Sequence, residues 1–330
     1  VPAPRPRALS PDVSAAEDVE PVVVAPEVVA PEVVAPEVVE PVVAWFARAR
    51  RDLPWRAADR TAWGVLVSEV MLQQTPVARV EPVWRDWMAR WPTPRAFAAA
   101  PVADVLRAWG RLGYPRRALR LHECARALVE RHGGTVPDDE SALRALPGIG
   151  QYTAAAVRAF AFGRRSVVVD TNVRRVLARV LGGVALPAPS PTAAEHAIAV
   201  GVVPDDDDAA ATWAAASMEL GALVCTARAP RCGDCPVRDA CAWRAAGYPA
   251  DEHSARRTSQ AWHGTDRQCR GRIMAALRAA HAPVDRADLD GTGASPAQVE
   301  RCLAGLVADG LVVRVGTVSD GAGLFTLPTG

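Results

Sequence analysis

Cys225, Cys232, Cys235 and Cys241 are separated by six, two and five residues, a density that points to one metal site. Four thiolates suit either a tetrahedral zinc or a four-iron cluster, since soft sulfur ligands match both and each takes four protein bonds when closed. Zinc favours ligands paired in two-residue knuckles. Here only Cys232 and Cys235 form such a pair, so the spacing leans towards iron, with zinc as the alternative and a disulfide pairing a distant third. Cys124, Cys269 and Cys302 stand singly in helical-looking sequence, where a reduced, buried thiol is the expectation.

Two further stretches carry chemistry. Leu146-Pro147-Gly148-Ile149-Gly150 lies between helical segments, and two glycines around one apolar residue permit a tight turn that offers backbone N–H groups to an anion at a helix start. By itself a Gly-x-Gly is weak evidence, because any helix–helix turn uses it. Ser68-Glu69-Val70-Met71-Leu72-Gln73-Gln74-Thr75 sets one carboxylate on an otherwise apolar segment. Standing alone, Glu69 reads as a partly buried, hydrogen-bonded helix residue. Its charged form is disfavoured on such a surface, so its pKa is expected to rise.

The elements that position these groups are mainly helical. From about Val42 to Cys225 the apolar residues recur at helical spacing, broken by Pro and Gly turns, and only Ser166 to Val169 reads as extended. Trp84, Trp87, Trp91 and Trp109 fall at helical spacing and are expected in the core. Before this domain, Ala-Pro-Glu-Val-Val repeats place proline at 26, 31, 36 and 41, which predicts a disordered or polyproline-like tail over 1–40. The main domain then covers 41–243, including the cysteine loop at 225–241, and a polar linker covers 244–264. A second unit, 265–330, shows helix, helix and β-ribbon patterns and is expected to be winged-helix-like.

Net charge is +1, but the first 40 residues hold two arginines against eight acids, so the body is basic at +7. That balance suits a phosphate-binding surface. No apolar run approaches the roughly 18 residues that cross a membrane, and no leader pattern is visible. The expectation is a soluble, cytoplasmic protein.

Taken together, the motifs from about Val42 to Trp243 resemble those of MutY-type adenine DNA glycosylases, in the endonuclease III branch of the helix–hairpin–helix superfamily. The C-x6-C-x2-C-x5-C loop is similar to that family's iron–sulfur loop, and the Pro-Gly-Ile-Gly turn followed by Asp170 is similar to its Gly/Pro-Asp signature. The resemblance implies a mainly α, helix-hairpin-helix DNA glycosylase fold with a [4Fe-4S] cluster on the four cysteines. It implies Glu69 as general acid and an ionised, better solvated Asp170 as stabiliser or covalent partner of the sugar cation. At the place of Tyr152 the bifunctional branch carries a lysine, so a monofunctional hydrolase is implied, with Tyr152 assisting Asp170. Arg51, Leu53 and Trp55 would line the pocket for the extruded base. Gln73, Gln74, Thr75, Tyr114, Leu146, Gly148, Gly150, Arg228 and Arg231 would meet DNA.

The implied substrate is double-stranded DNA with adenine opposite 8-oxoguanine or guanine, handled by a monomeric, bacterial, nucleoid-associated enzyme. Three positions depart from the family pattern. Pro115 follows Tyr114 where many relatives have a second tyrosine. Ala215 stands where relatives carry a Gln or Glu that helps read adenine, and the winged-helix-like unit replaces a Nudix-like domain. These departures keep two alternatives in view, a mismatch thymine or uracil glycosylase and a non-enzymatic iron–sulfur DNA-binding regulator.

Overall fold

The computed structural model describes residues 36–256, 262–317 and 323–329. Helix α1 (Pro36–Ala49) leads into α2 (Ala62–Leu72), α3 (Val77–Arg90), α4 (Pro94–Ala98), α5 (Val102–Trp109) and α6 (Arg116–His132). Next come α7 (Glu140–Arg144), α8 (Gln151–Phe162), α9 (Thr171–Val180), α10 (Ala193–Gly201), α11 (Asp207–Leu223) and the short α12 (Ala242–Ala245).

The tail expected over 1–40 ends earlier than its proline pattern predicts, because residues 36–40 form the first turn of α1; residues 1–35 lie outside the described residues. Pro41 sits inside this helix and forfeits one backbone bond, a loss of about 3 kcal/mol. Val38, Val42 and Phe46, at i, i+4 and i+8, are all buried. Each such burial is worth roughly 1.5–3 kcal/mol, so the stripe outweighs the proline.

Two apolar cores organise the main body. One gathers α2 to α8 around Trp87, Phe97 and Trp109, whose rings stack within 5.0 to 5.5 Å of Trp87. The other joins α1, α9, α10 and α11 to the cysteine loop. Helix α2 is buried all round, from Trp63 to Met71, as a central helix must be. Past the left-handed Gly163, residues 164–170 join no helix or sheet, and they carry the chain from the first core to the second. Helix α8 packs on both α2 and α11, and α11 packs on α9, so these helices meet between the two cores.

The C-terminal unit comprises α13 (Asp266–Ala279), β1 (Val284–Asp285), α14 (Pro296–Ala308), β2 (Val313–Thr317) and β3 (Gly323–Thr326). Its antiparallel sheet has the order β1-β3-β2. The two-residue β1 and the 3₁₀ turn of Ala287–Thr292 are elements the sequence pattern did not announce. Helix α13 packs on α5 and shares its core, so this unit is docked against the main body. Cys124, Cys269 and Cys302 are buried free thiols, as expected. Among the described residues no helix is long and apolar enough to cross a membrane.

Candidate active site

Glu69 lies one turn before the end of α2 and is 5% exposed. Helix α8 packs across α2 and brings Tyr152 to it, so that the phenol donates to Glu69 Oε2 at 3.0 Å. Burial pushes the carboxyl up to about 7; the phenol's hydrogen bond opposes this, nearby Asp170 adds to it, and the Arg56 charge opposes it. Burial and the two carboxylates hold the Tyr152 phenol well above its ordinary value, so it stays protonated and remains the donor.

Asp170 is the N-cap of α9 and accepts from the Asn172 and Val173 N–H groups at 2.8 and 2.7 Å. The Asn172 side-chain amide donates to its second oxygen at 2.7 Å. Asp170 is half-buried, whereas Glu69 is buried, so Asp170 is the better solvated of the two carboxyls. Burial raises the Asp170 pKa, and the three hydrogen bonds oppose that rise.

The hairpin follows from its glycines. Gly148 has φ +76, and a Cβ there would stand 3.0 Å from the Arg120 Cβ, so the turn admits only glycine without strain. Gly150 caps α8 with no side-chain bond, leaving exposed N–H groups. Leu146, in contrast, is 3% exposed and anchors the turn from below.

Several other expected contacts are redistributed. Gln74 and Tyr114 are exposed and adopt the left-handed region, with φ of 56 and 47. Gln73 is half-buried beside them. Thr75 is buried, and its hydroxyl donates to the Leu112 carbonyl at 3.1 Å, so it ties loops together rather than facing a ligand. Leu53 and Trp55 belong to the core, where the Pro54–Arg56 turn folds them inward and Trp55 meets Trp84 edge-on at 5.7 Å. Arg228 is exposed, while Arg231 is spent partly on the Leu223 carbonyl at 2.7 Å.

Arg51 finds a partner that its sequence neighbours do not reveal. Its Nε and Nη2 grip both oxygens of Glu219 at 2.9 and 2.7 Å, and Arg56 Nη2 joins at 3.1 Å. Glu219 is fully buried; burial pushes its carboxyl up, but the two guanidinium groups outweigh this and hold it at about 2. It stands one turn after Ala215 on α11, so an acid of that helix faces Arg51 and Arg56 although position 215 carries none. Gly221 permits the approach of α11 to α9, since a Cβ there would lie 2.7 Å from that of Asn172.

All four cysteines line one cavity with Arg179, Arg238, Trp243 and Arg244. Among the described residues no three His, Cys, Asp or Glu side chains converge tightly enough to hold a single metal ion. Arg179 is buried, donates to Cys225 Sγ at 3.4 Å and lies 4.5 Å over the Trp243 ring, a placement that offsets the charge of thiolate ligands. Arg175 bonds the Cys225 carbonyl at 2.7 Å and the Asn172 side-chain oxygen at 2.8 Å. A hydrogen-bonded path thus runs from the cysteine loop through Arg175 and Asn172 to Asp170.

Residues 67–200 match the HhH-GPD superfamily of base excision DNA repair proteins, and residues 225–241 match the iron–sulfur binding domain of endonuclease III. Over 288 residues, 87% of this chain and 92% of the relative, the sequence is 54% identical to adenine DNA glycosylase of Mycobacterium tuberculosis (strain CDC 1551 / Oshkosh). The chain belongs to the adenine DNA glycosylase family. The human adenine DNA glycosylase is 42% identical over 208 residues, covering 61% of this chain and 38% of that protein. Among solved structures, a thermostable thymine-DNA glycosylase superposes with a TM-score of 0.56 and 28% identity, over 63% of this chain and 95% of that one. This family member is a DNA glycosylase of helix–hairpin–helix fold, and its cysteine loop is a [4Fe-4S] binding site.

Proposed function

We propose that this glycosylase, acting as a monomer on double-stranded DNA, hydrolyses the N-glycosidic bond of adenine opposite 8-oxoguanine or guanine and leaves the strand intact. The observation that carries this reading is the buried Glu69, pushed up to about 7 and hydrogen-bonded by a phenol. Near neutral pH an appreciable fraction of it is protonated. It delivers its proton to N7 of the purine as the bond from N9 to the sugar carbon breaks, and the bond electrons leave with the base. The sugar cation is then stabilised by Asp170, whose carboxylate is fixed by three hydrogen bonds. Water adds to the cation, and Glu69, now ionised, takes the proton that water loses.

Strand cleavage by β-elimination starts from an imine between the sugar and an amine. Tyr152 occupies the place where a lysine would serve, and the 330-residue sequence contains no lysine at all: its 38 basic residues are all arginines. No ε-amine is available anywhere in the chain. Base recognition is assigned to the pocket beside Arg51, Arg56 and Glu219, with Gln73, Gln74 and Tyr114 towards the opposite base. The exposed Gly148 and Gly150 amides and Arg228 are assigned to phosphates, and the cluster is given a structural and DNA-engaging role.

Base release from duplexes holding A opposite 8-oxoguanine, A opposite G, T opposite G and a normal A–T pair tests this assignment. Release of adenine from the first two alone supports it. Release of thymine would move the enzyme to the mismatch thymine class, and tight binding without release of any base would make it a DNA-binding regulator.

A further inference from the structure

Arg117, in the first turn of α6, does not touch Glu69, Tyr152 or Asp170, yet the four hydrogens on its two Nη atoms are shared among six acceptors. Its Nη1 donates to the carbonyls of Val70, Met71 and Gln73 at 2.9, 3.1 and 2.5 Å. Its Nη2 donates to Thr75 Oγ1 at 3.0 Å and to the carbonyls of Leu112 and Gly113 at 3.4 and 3.1 Å. The first three are the closing carbonyls of α2, beginning with the residue next to Glu69. The last two belong to the loop that presents Tyr114, and the guanidinium carbon lies 5.7 Å from that ring and 5.1 Å from Trp109.

The charge of Arg117 completes the picture. It has no ion pair with a carboxylate among the described residues, and its Nε is buried without a partner. Burial draws its pKa down to about 10, which still leaves a cation at neutral pH. This half-buried cation, held by carbonyls, a hydroxyl and two aromatic rings, is stable because it caps the negative end of α2 while closing the second loop. Each loop carries one non-glycine residue in the left-handed region, Gln74 and Tyr114. Such residues cost of order 1 kcal/mol or more and persist where surrounding bonds over-determine them.

We infer that Arg117 is a positioning residue that couples the Tyr114 loop to the Glu69 helix, so that the base met by Tyr114 sets the placement of the general acid. This rests on the roles proposed for Tyr114 and Glu69. The planar fork makes the coupling mechanical. Carbonyls of both loops share the same two nitrogens, so neither loop shifts without straining bonds to the other. A lysine, with three donors at a point, cannot serve both sets. Thr75 adds a second tie across the same gap through its bond to the Leu112 carbonyl.

The test is single-turnover adenine release by the cluster-loaded full chain from A opposite 8-oxoguanine and A opposite G, with thermal unfolding recorded alongside. Wild type, Arg117→Lys and Thr75→Val are compared. Wild type that releases adenine from neither duplex overturns the functional reading itself, and wild type with equal rates on both leaves nothing to couple and sinks the inference. Given selective wild type, Arg117→Lys is expected to lower the ratio of the two rates by about tenfold or more, since a misplacement near 1 Å costs about a hundredfold in the better-aligned complex. Thr75→Val should lower it in the same direction by less. A merely structural staple would slow both duplexes alike and lower the melting temperature, keeping the ratio; that result contradicts the coupling. If Arg117→Lys does not fold, the ratio in Thr75→Val decides.

Discussion

The Tyr152 phenol donates to the Glu69 carboxyl at 3.0 Å across 83 residues of sequence. This bond fixes which oxygen of Glu69 is free to carry the transferable proton. It also opposes the burial that raises the Glu69 pKa. Tyr152→Phe should therefore raise that pKa further and move the alkaline limb of the pH–rate profile upward, with a rate loss smaller than that of Glu69→Gln. A limb that stays in place or moves down contradicts the assignment.

The pH dependence of stability follows from the same carboxyl. Glu69 binds its proton more tightly folded than unfolded, so stability is fully present below the ordinary carboxylate pKa and declines as pH rises to about 7. The decline amounts to about 3 kcal/mol at most, from 1.36 kcal/mol per unit. Glu69→Gln should remove it, making the variant more stable than wild type at about pH 8 in urea denaturation, because a neutral amide replaces a buried charge. Equal midpoints at that pH would argue that Glu69 is solvated.

Glu219 behaves in the opposite sense. Its carboxyl is held at about 2 by Arg51 and Arg56, so its contribution is present above the ordinary carboxylate range and is lost as pH falls towards 2. Glu219→Gln leaves two guanidinium groups facing a neutral amide, and breaking such a buried pair costs about 3–5 kcal/mol. Arg51 and Arg56 retain side-chain exposures of 33% and 23%, which places the loss towards the lower end of that range. Chemical denaturation measures it, and an unchanged midpoint would remove Glu219 as the organiser of the pocket.

Asn172 links Asp170 to the cysteine loop through Arg175. Asn172→Ala removes a hydrogen bond that lowers the Asp170 pKa. The acid limb of the pH–rate profile should move upward, since Asp170 acts in its ionised form. The visible absorption of the cluster should persist, and loss of the cluster with an unmoved limb would show that the path serves only the loop.

The parts of this site that could be read from sequence are contiguous: the cysteine spacing, the Gly148–Gly150 turn, and Glu69 in its apolar segment. Their geometry is set within a few residues, so local pattern suffices. The Arg51–Glu219 pair spans 168 residues, and nothing in the neighbourhood of either residue marks the other as its partner. Ala215 drew attention away from Glu219, although the two share one face of α11. The six bonds of Arg117 were invisible for a related reason, because all but one go to backbone carbonyls, which every residue possesses. The partial burial that raises the Asp170 pKa comes from packing around the start of α9, a tertiary fact that its place at a helix start does not show. The proline repeat concealed the beginning of α1, because the valine stripe that outweighs Pro41 gains its value only when α11 lies against it.

The most direct test of the account is single-turnover reaction of the cluster-loaded enzyme with a duplex holding adenine opposite 8-oxoguanine. It is resolved with and without hot alkali, and with borohydride present to trap any imine, for wild type and Glu69→Gln. The account predicts adenine release by wild type, strand scission only after alkali, no trapped covalent complex, and a rate lower by roughly 10²–10⁴ or more in Glu69→Gln. Scission without alkali, a borohydride-trapped adduct, or adenine release by Glu69→Gln at the wild-type rate would contradict it.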